Sequence, residues 1–141
     1  MATSFVIMYA VMFLNTASIE HVMLSTMRTY MTLLMIAPMA IVMLLYMWGM
    51  YKNKKLNVLI LTVSVVVFGV IYSMMRNQTG ISDVQYMKAM IPHHSSAILT
   101  SDNADLQDTE TKKLAEDISK LQKEEIALMK AYLDRINKNN N

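Results

Sequence analysis

The chain has 141 residues, 54% of them hydrophobic, and a net charge of +2; its few basic residues form no stripe interleaved with aromatics, which argues against nucleic acid as a partner. It has no cysteine, which excludes disulfides, thiolate metal sites and cysteine nucleophiles, and all of its sulfur is thioether, in 16 methionines. Residues 1–75 carry little charge and residues 76–141 carry most of it, so the sequence divides into a transmembrane half, 1–76, and a water-exposed half, 77–141.

In chain order, "TSFVIMYAVMFL" (3–14) is apolar but short, and the following "NTASIEHVML" carries Glu20 and His21. The segment is expected to span over about 3–24, with that polar pair near an interface. A cleaved signal peptide is the rival reading, weakened by the lack of a basic leader and of a small-residue cleavage site. "YMTLLMIAPMAIVMLLYMWGMY" (30–51) is uncharged over 22 residues, about 33 Å as a helix, and predicts a span over 29–51. Pro38 inside it removes the hydrogen bond to Leu34, so a kink is expected there. "NVLILTVSVVVFGVIYSMM" (57–75), about 28 Å as a helix, predicts a third span. The loop Lys52, Asn53, Lys54, Lys55 is expected to be cytoplasmic, leaving the tail outside, although Arg28 and Arg76 on the other side weigh against that orientation.

Met27, Met31, Met35, Met39, Met43 and Met47 recur every fourth residue, with Met23 before and Met50 after. Each step of four drifts about 40° around a helix, so the series cannot face one straight groove. It reads either as a relay of weak soft-metal ligands or as packing and lipid-facing surface; the absence of any accompanying charge favours packing.

After Arg76, Gly80 supplies a break, and Ser82 with Gln85 forms a capping box that starts a helix expected to reach about Leu99. "TSDNADLQD" (100–108) reads as a polar turn with Asp108 as the next N-cap. In the second helix Leu114, Ile118, Leu121, Glu125, Leu128 and Tyr132 follow one another at threes and fours along one seam. "NKNNN" ends the chain as a polar tail.

Asp83, Met87, Met90 and His94 fall at intervals of four, three and four, on one helix face, with His93 flanking it. Gln122, Glu125 and Met129 share a face of the second helix, and the two faces meet if the helices fold back antiparallel. Thioethers and imidazoles suit Cu(I), and its soft analogue Ag(I), better than zinc or calcium. Pro92 restricts Ile91 and is expected to kink the helix and re-aim both imidazoles. The plainer alternative, methionine as core filler and histidines as satisfied polar residues, stays open on spacing alone.

"SDVQYMKAMIPHHSSAIL" (82–99) followed by "LQKEEIALMKAYL" (121–133) resembles a bacterial family known as domain of unknown function 305, with Met87, Met90, His93, His94, Gln122, Glu125 and Met129 at matching places. The match covers about the last 60 residues, and the apolar helices before it resemble the membrane-anchored branch of that family. The resemblance implies a ferritin-like helical bundle in the periplasm, associated with copper binding and tolerance. Where family members commonly carry Met, sometimes followed by Cys and Glu, this chain has Thr100, Ser101 and Asp102, which puts a soft ligand in question.

The expectation is thus an all-α protein: three transmembrane helices, then a soluble two-helix hairpin that pairs into a four-helix bundle in a homodimer or larger homo-oligomer. Its expected partners are a metal ion and membrane lipid, with a metal exporter as a further candidate; its expected place is a bacterial inner membrane, hairpin in the periplasm. The expected role is non-catalytic Cu(I) binding, since no nucleophile has a matching base and the hairpin has too few oxygen and imidazole ligands for a di-iron centre. The alternative is an oligomerisation or exporter-docking protein without a metal site.

Overall fold

A computed structural model describes residues 2–139, and every regular element among them is helical. The helices are α1 (Ala2–Val11), α2 (Thr26–Tyr46), α3 (Lys54–Arg76), α4 (Asp83–Asn103) and α5 (Thr109–Asn139), with one 3-10 turn at Ile19–His21. They form two compact units. One comprises α1 and Thr26–Gly80; the other comprises Met12–Ser25 and the chain from Ile81 onward.

The all-α expectation agrees with this structure, but the three-span arrangement does not. Among the described residues only α2 and α3 are long and apolar enough to cross a membrane, and α1, at 10 residues, is about 15 Å long, half a hydrocarbon core. The expected span over 3–24 stops because its polar side chains give the backbone other partners. The Thr16 hydroxyl and amide both donate to the Phe13 carbonyl, at 2.9 and 3.3 Å, and Ser18 caps the 3-10 turn by accepting from the Glu20 amide. Residues 12–25 consequently leave the apolar helices and join the second unit.

In the first unit α2 packs against α3, and the Tyr30 hydroxyl donates to the Thr79 carbonyl at 2.8 Å. Gly80, at φ +73°, takes the left-handed conformation that ends this stretch. Asn53 caps α3 by accepting from the Leu56 amide at 3.1 Å. α2 runs unbroken through Pro38, which is exposed. The polarity of α3 is inverted relative to a water-soluble helix: its buried residue is Asn57, while Val58, Leu59, Val63, Val65, Val66 and Val70 lie exposed. Met31, Met35, Met39 and Met43 are likewise on the outside of α2.

In the second unit, Ser82 caps α4 by accepting from the Gln85 amide at 3.4 Å. α4 continues past Leu99 to Asn103, and Asp108 caps α5 by accepting from the Thr111 amide at 2.7 Å. Met87, Ile91, Ile98, Ile126 and Leu133 are its buried core, with Met23, Val84, Met129 and Ile136 packed against them. The line of α5 turned inward is therefore Ser119, Ile126 and Leu133, one step round from the Leu114–Tyr132 seam, which stays at the surface. At the hairpin's turn end, Ser119 and Lys123 both donate to Asp102.

The Ser119 hydrogen bond, and then Lys123, hold the Asp102 carboxyl below the usual carboxylate range. A depressed folded pKa means stability that is present above the unfolded value near 4 and lost as pH falls through the folded one. Thermal melts followed by circular dichroism should therefore show native protein more stable than Asp102→Asn at about pH 5, with the difference closing as pH falls below the unfolded carboxylate value near 4. A gap that stays constant with pH would sever the carboxylate from the hairpin's stability.

Candidate metal site

α4 presents two adjacent histidines in different directions because successive helical residues are turned about 100° apart. Pro92 lies fully buried beside Ile91 and Ser95, without interrupting α4. That inward packing turns His93 out to solvent and leaves His94 at the rim of the core, its side chain 14% exposed. The rings are 6.2 Å apart between centroids and inclined by 63°, in an edge-on arrangement.

His94 is held from both sides. Its Nδ1 lies 3.0 Å from the Met90 carbonyl oxygen, an acceptor only, so Nδ1 carries the proton. Nε2 faces the Glu125 carboxylate of α5 at 2.8 Å. The backbone bond fixes the tautomer and makes Nε2 the nitrogen at which a proton or a metal ion competes.

Of the other expected ligands, Met87 is buried in the core and Met129 packs against it from α5. Met90 and Gln122 are half-buried, while Asp83 is exposed at the start of α4. The structure thus brings together His94 with Glu125, and Met87 with Met129 in one core, but leaves His93 and Asp83 outside. Among the described residues no group of three or more His, Asp or Glu side chains is placed to hold a metal, so a site here must draw on sulfur.

The sequence reading left out one set of contacts. Ser95, fully buried on the inward line of α4, accepts from the Ala17 amide at 2.8 Å and lies 2.8 Å from His21 Nδ1. Asn15 donates to Ser96 at 3.1 Å, and Glu20 lies 3.7 Å from the Lys130 ammonium. Burial, with the Lys130 charge adding to it and Glu20 opposing, lowers the His21 pKa below its ordinary value. A neutral ring suits the contact: the Ser95 hydroxyl accepts from Ala17 and donates to Nδ1, which uses both its capacities. The signal was a serine on the apolar line Met87, Ile91, Ile98, together with a Glu20–His21 pair that a membrane span would not welcome.

A two-helix hairpin with an oriented histidine, a carboxylate and core thioethers, following two apolar helices, is the class these features define. The domain of unknown function DUF305 matches residues 83–141. The chain is also similar to a protein of Acanthamoeba polyphaga mimivirus described as uncharacterized protein L153, with 38% identity over 108 residues, 74% of this chain and 68% of that protein. The chain belongs to the DUF305 family. No solved structure matches it.

Removing the Ser95 hydroxyl would leave the Ala17 amide and His21 Nδ1 without their shared partner, at a cost of about 1–3 kcal/mol. Ser95→Ala should lower stability by that order, and Ser95→Ala combined with His21→Ala should cost less than the sum of the two. Strictly additive losses in denaturant titrations would show that the contact carries no coupling.

Proposed function

We propose that this protein is a membrane-held, non-catalytic Cu(I)-binding protein, with Ag(I) as an alternative guest, whose α4–α5 hairpin faces the extracytoplasmic side, the periplasm in a bacterial cell. The observation that carries the reading is His94, whose Nδ1 bond to the Met90 carbonyl aims Nε2 at Glu125. Such second-partner fixing of a ring is how metal-binding histidines are commonly oriented. With no cysteine and one such imidazole beside methionines, the donor set is soft and neutral apart from Glu125, which suits a monovalent soft cation. The membrane placement rests on the outward apolar side chains of α3, and the orientation on Lys52, Lys54 and Lys55 in and beside the α2–α3 connection. Two spans return the chain to the side it left, as the joining of residues 12–25 with α4 and α5 requires.

In this reading Cu(I) displaces the Nε2 proton, with thioethers as further weak donors and Glu125 turning from a hydrogen-bond partner into a counter-charge. Anaerobic Cu(I) titration of the full-length protein in detergent against a chromophoric chelator should show competitive uptake. His94→Ala should lose at least about tenfold in affinity, and Glu125→Gln a smaller factor. Uptake should weaken as pH falls, because metal binding at Nε2 is in competition with protons. Native protein that never competes with the chelator would move the lead to a docking or oligomerisation role.

The assembly we propose is a homodimer through α5. Leu114, Leu121 and Leu128 are 59%, 52% and 51% exposed, and with Ile118, Glu125 and Tyr132 they keep the three-four spacing of a coiled-coil seam. A parallel, in-register pair would set Glu125 against Glu125 and Arg135 against Arg135. An antiparallel pair instead sets Glu125 beside Leu128 of the second copy and Leu121 beside its Tyr132, and brings Asp117 near its Lys138, an opposite-charge contact that the parallel pair lacks and that favours the antiparallel, two-fold arrangement. Sedimentation in mild detergent should give a dimer that Leu121→Lys with Leu128→Lys converts to monomer at unchanged helicity; a native monomer at micromolar concentration would refute the seam as a self-association surface.

A further inference from the structure

Met23 opens the four-spaced methionine series, and by sequence it belongs with the membrane helix. The structure separates it from that helix: α2 begins at Thr26, and Met23 lies in the strap of residues 12–25 that belongs to the unit of α4 and α5. There it packs, half-buried, against the core that contains Met87, as Met129 does from α5. Three thioethers from three separated stretches of chain thus reach one small core whose other members are aliphatic.

We infer that Met23 is a copper ligand, closing a thioether site with Met87 and Met129; the inference rests on the Cu(I) reading above. The strap that delivers it is fixed at several points. Ala17 and His21 hold Ser95 from one side, Asn15 holds Ser96, and Glu20 reaches Lys130 on α5, so the backbone leading to Met23 is anchored to both helices. Packing alone would be served equally by leucine, which is unbranched at Cβ and similar in volume. Sulfur adds a soft donor in a chain that has no cysteine and whose inward His21 has its Nδ1 committed to Ser95, and where one thioether would bind Cu(I) only weakly. Met87 is buried whereas Met23 and Met129 are partly exposed, so an ion coming from solvent meets the outer sulfurs before the inner one. His94 stands on the same α4 one turn beyond Met90, with its Nε2 turned to Glu125 of α5.

The test uses full-length protein in detergent under anaerobic conditions, with Cu(I) as the probe, comparing native protein, Met23→Leu and Met27→Leu by competitive titration and by copper X-ray absorption. Met23→Leu is expected to melt as the native protein does, to bind Cu(I) about tenfold more weakly and to show one fewer sulfur around copper. Met27→Leu, in the same sequence series but in α2, is expected to match the native protein. Native affinity and sulfur count in Met23→Leu would overturn the inference and leave the Cu(I) reading standing; failure of the native protein to take Cu(I) from the chelator would overturn both. Should Met23→Leu not fold, Met23→Cys decides: copper–thiolate absorption in the ultraviolet on adding Cu(I) is expected, and its absence overturns the assignment.

Discussion

Two helices in contact bury only the line along which they touch, and this limit shapes the whole unit built on α4 and α5. α4 and α5 contribute the five side chains of the buried apolar cluster. Such a core leaves the flanks of the pair open to water, and the chain covers one flank with residues 12–25. The polar price of that covering is handled by Ser95, whose single hydroxyl receives the Ala17 amide and meets the His21 ring. A methyl group at that position would pack against Ile91 and Ile98 as readily, yet would leave the strap without an anchor. The serine on the apolar line is thus the point through which a loop, two helices and a methionine become one unit.

The hairpin was largely legible in the sequence because its signals are local. Ser82 and Asp108 have the chemistry of helix caps, and both caps form. His94 and Glu125 lie on faces that an antiparallel return brings together, and they meet at 2.8 Å. What spacing could not decide was which of two adjacent lines on α5 faces inward. Leu114, Ile118, Leu121 and Leu128 make the more apolar line, but α4 packs on Ser119, Ile126 and Leu133. The reason lies in the partners: Asp102 takes Ser119 and Lys123, and Glu125 takes His94, so polar contacts at two heights fix the rotation of α5. A hydrophobic pattern on one helix contains no information about the polar groups on its neighbour.

The first 25 residues misled for the opposite reason, since there the apolar count was high and the polar residues were few. Thr16 and Ser18 bond to backbone within two or three residues of themselves, which ends the helix before it could span anything. Summed hydrophobicity is blind to such short-range competition, because it weighs a threonine by its transfer cost and not by the turn it stabilises. Glu20 and His21 had marked the place, and both found partners on the hairpin, Lys130 and Ser95. The structure divides His93 from His94: His93 is exposed while His94 turns to Glu125, as the step of about 100° between neighbouring helical residues dictates, and Pro92 before them is buried.

Glu125 ties the candidate metal chemistry to the surface of α5. It occupies a position in the exposed seam, where a leucine would extend the apolar line, and a lone carboxylate there would oppose any partner that covered it. Its contact with His94 draws it toward α4 and matches its charge whenever the ring is protonated. If a cation replaces that proton at Nε2, the charge against Glu125 is preserved, and the seam keeps the same electrostatic character. If the site is neither protonated nor metal-bound, the carboxylate stands uncompensated in the middle of the seam. On the proposed reading, ion capture at His94 and self-association through α5 would act on the same carboxylate, so by linkage each would alter the other wherever covering the seam changes the solvation of Glu125.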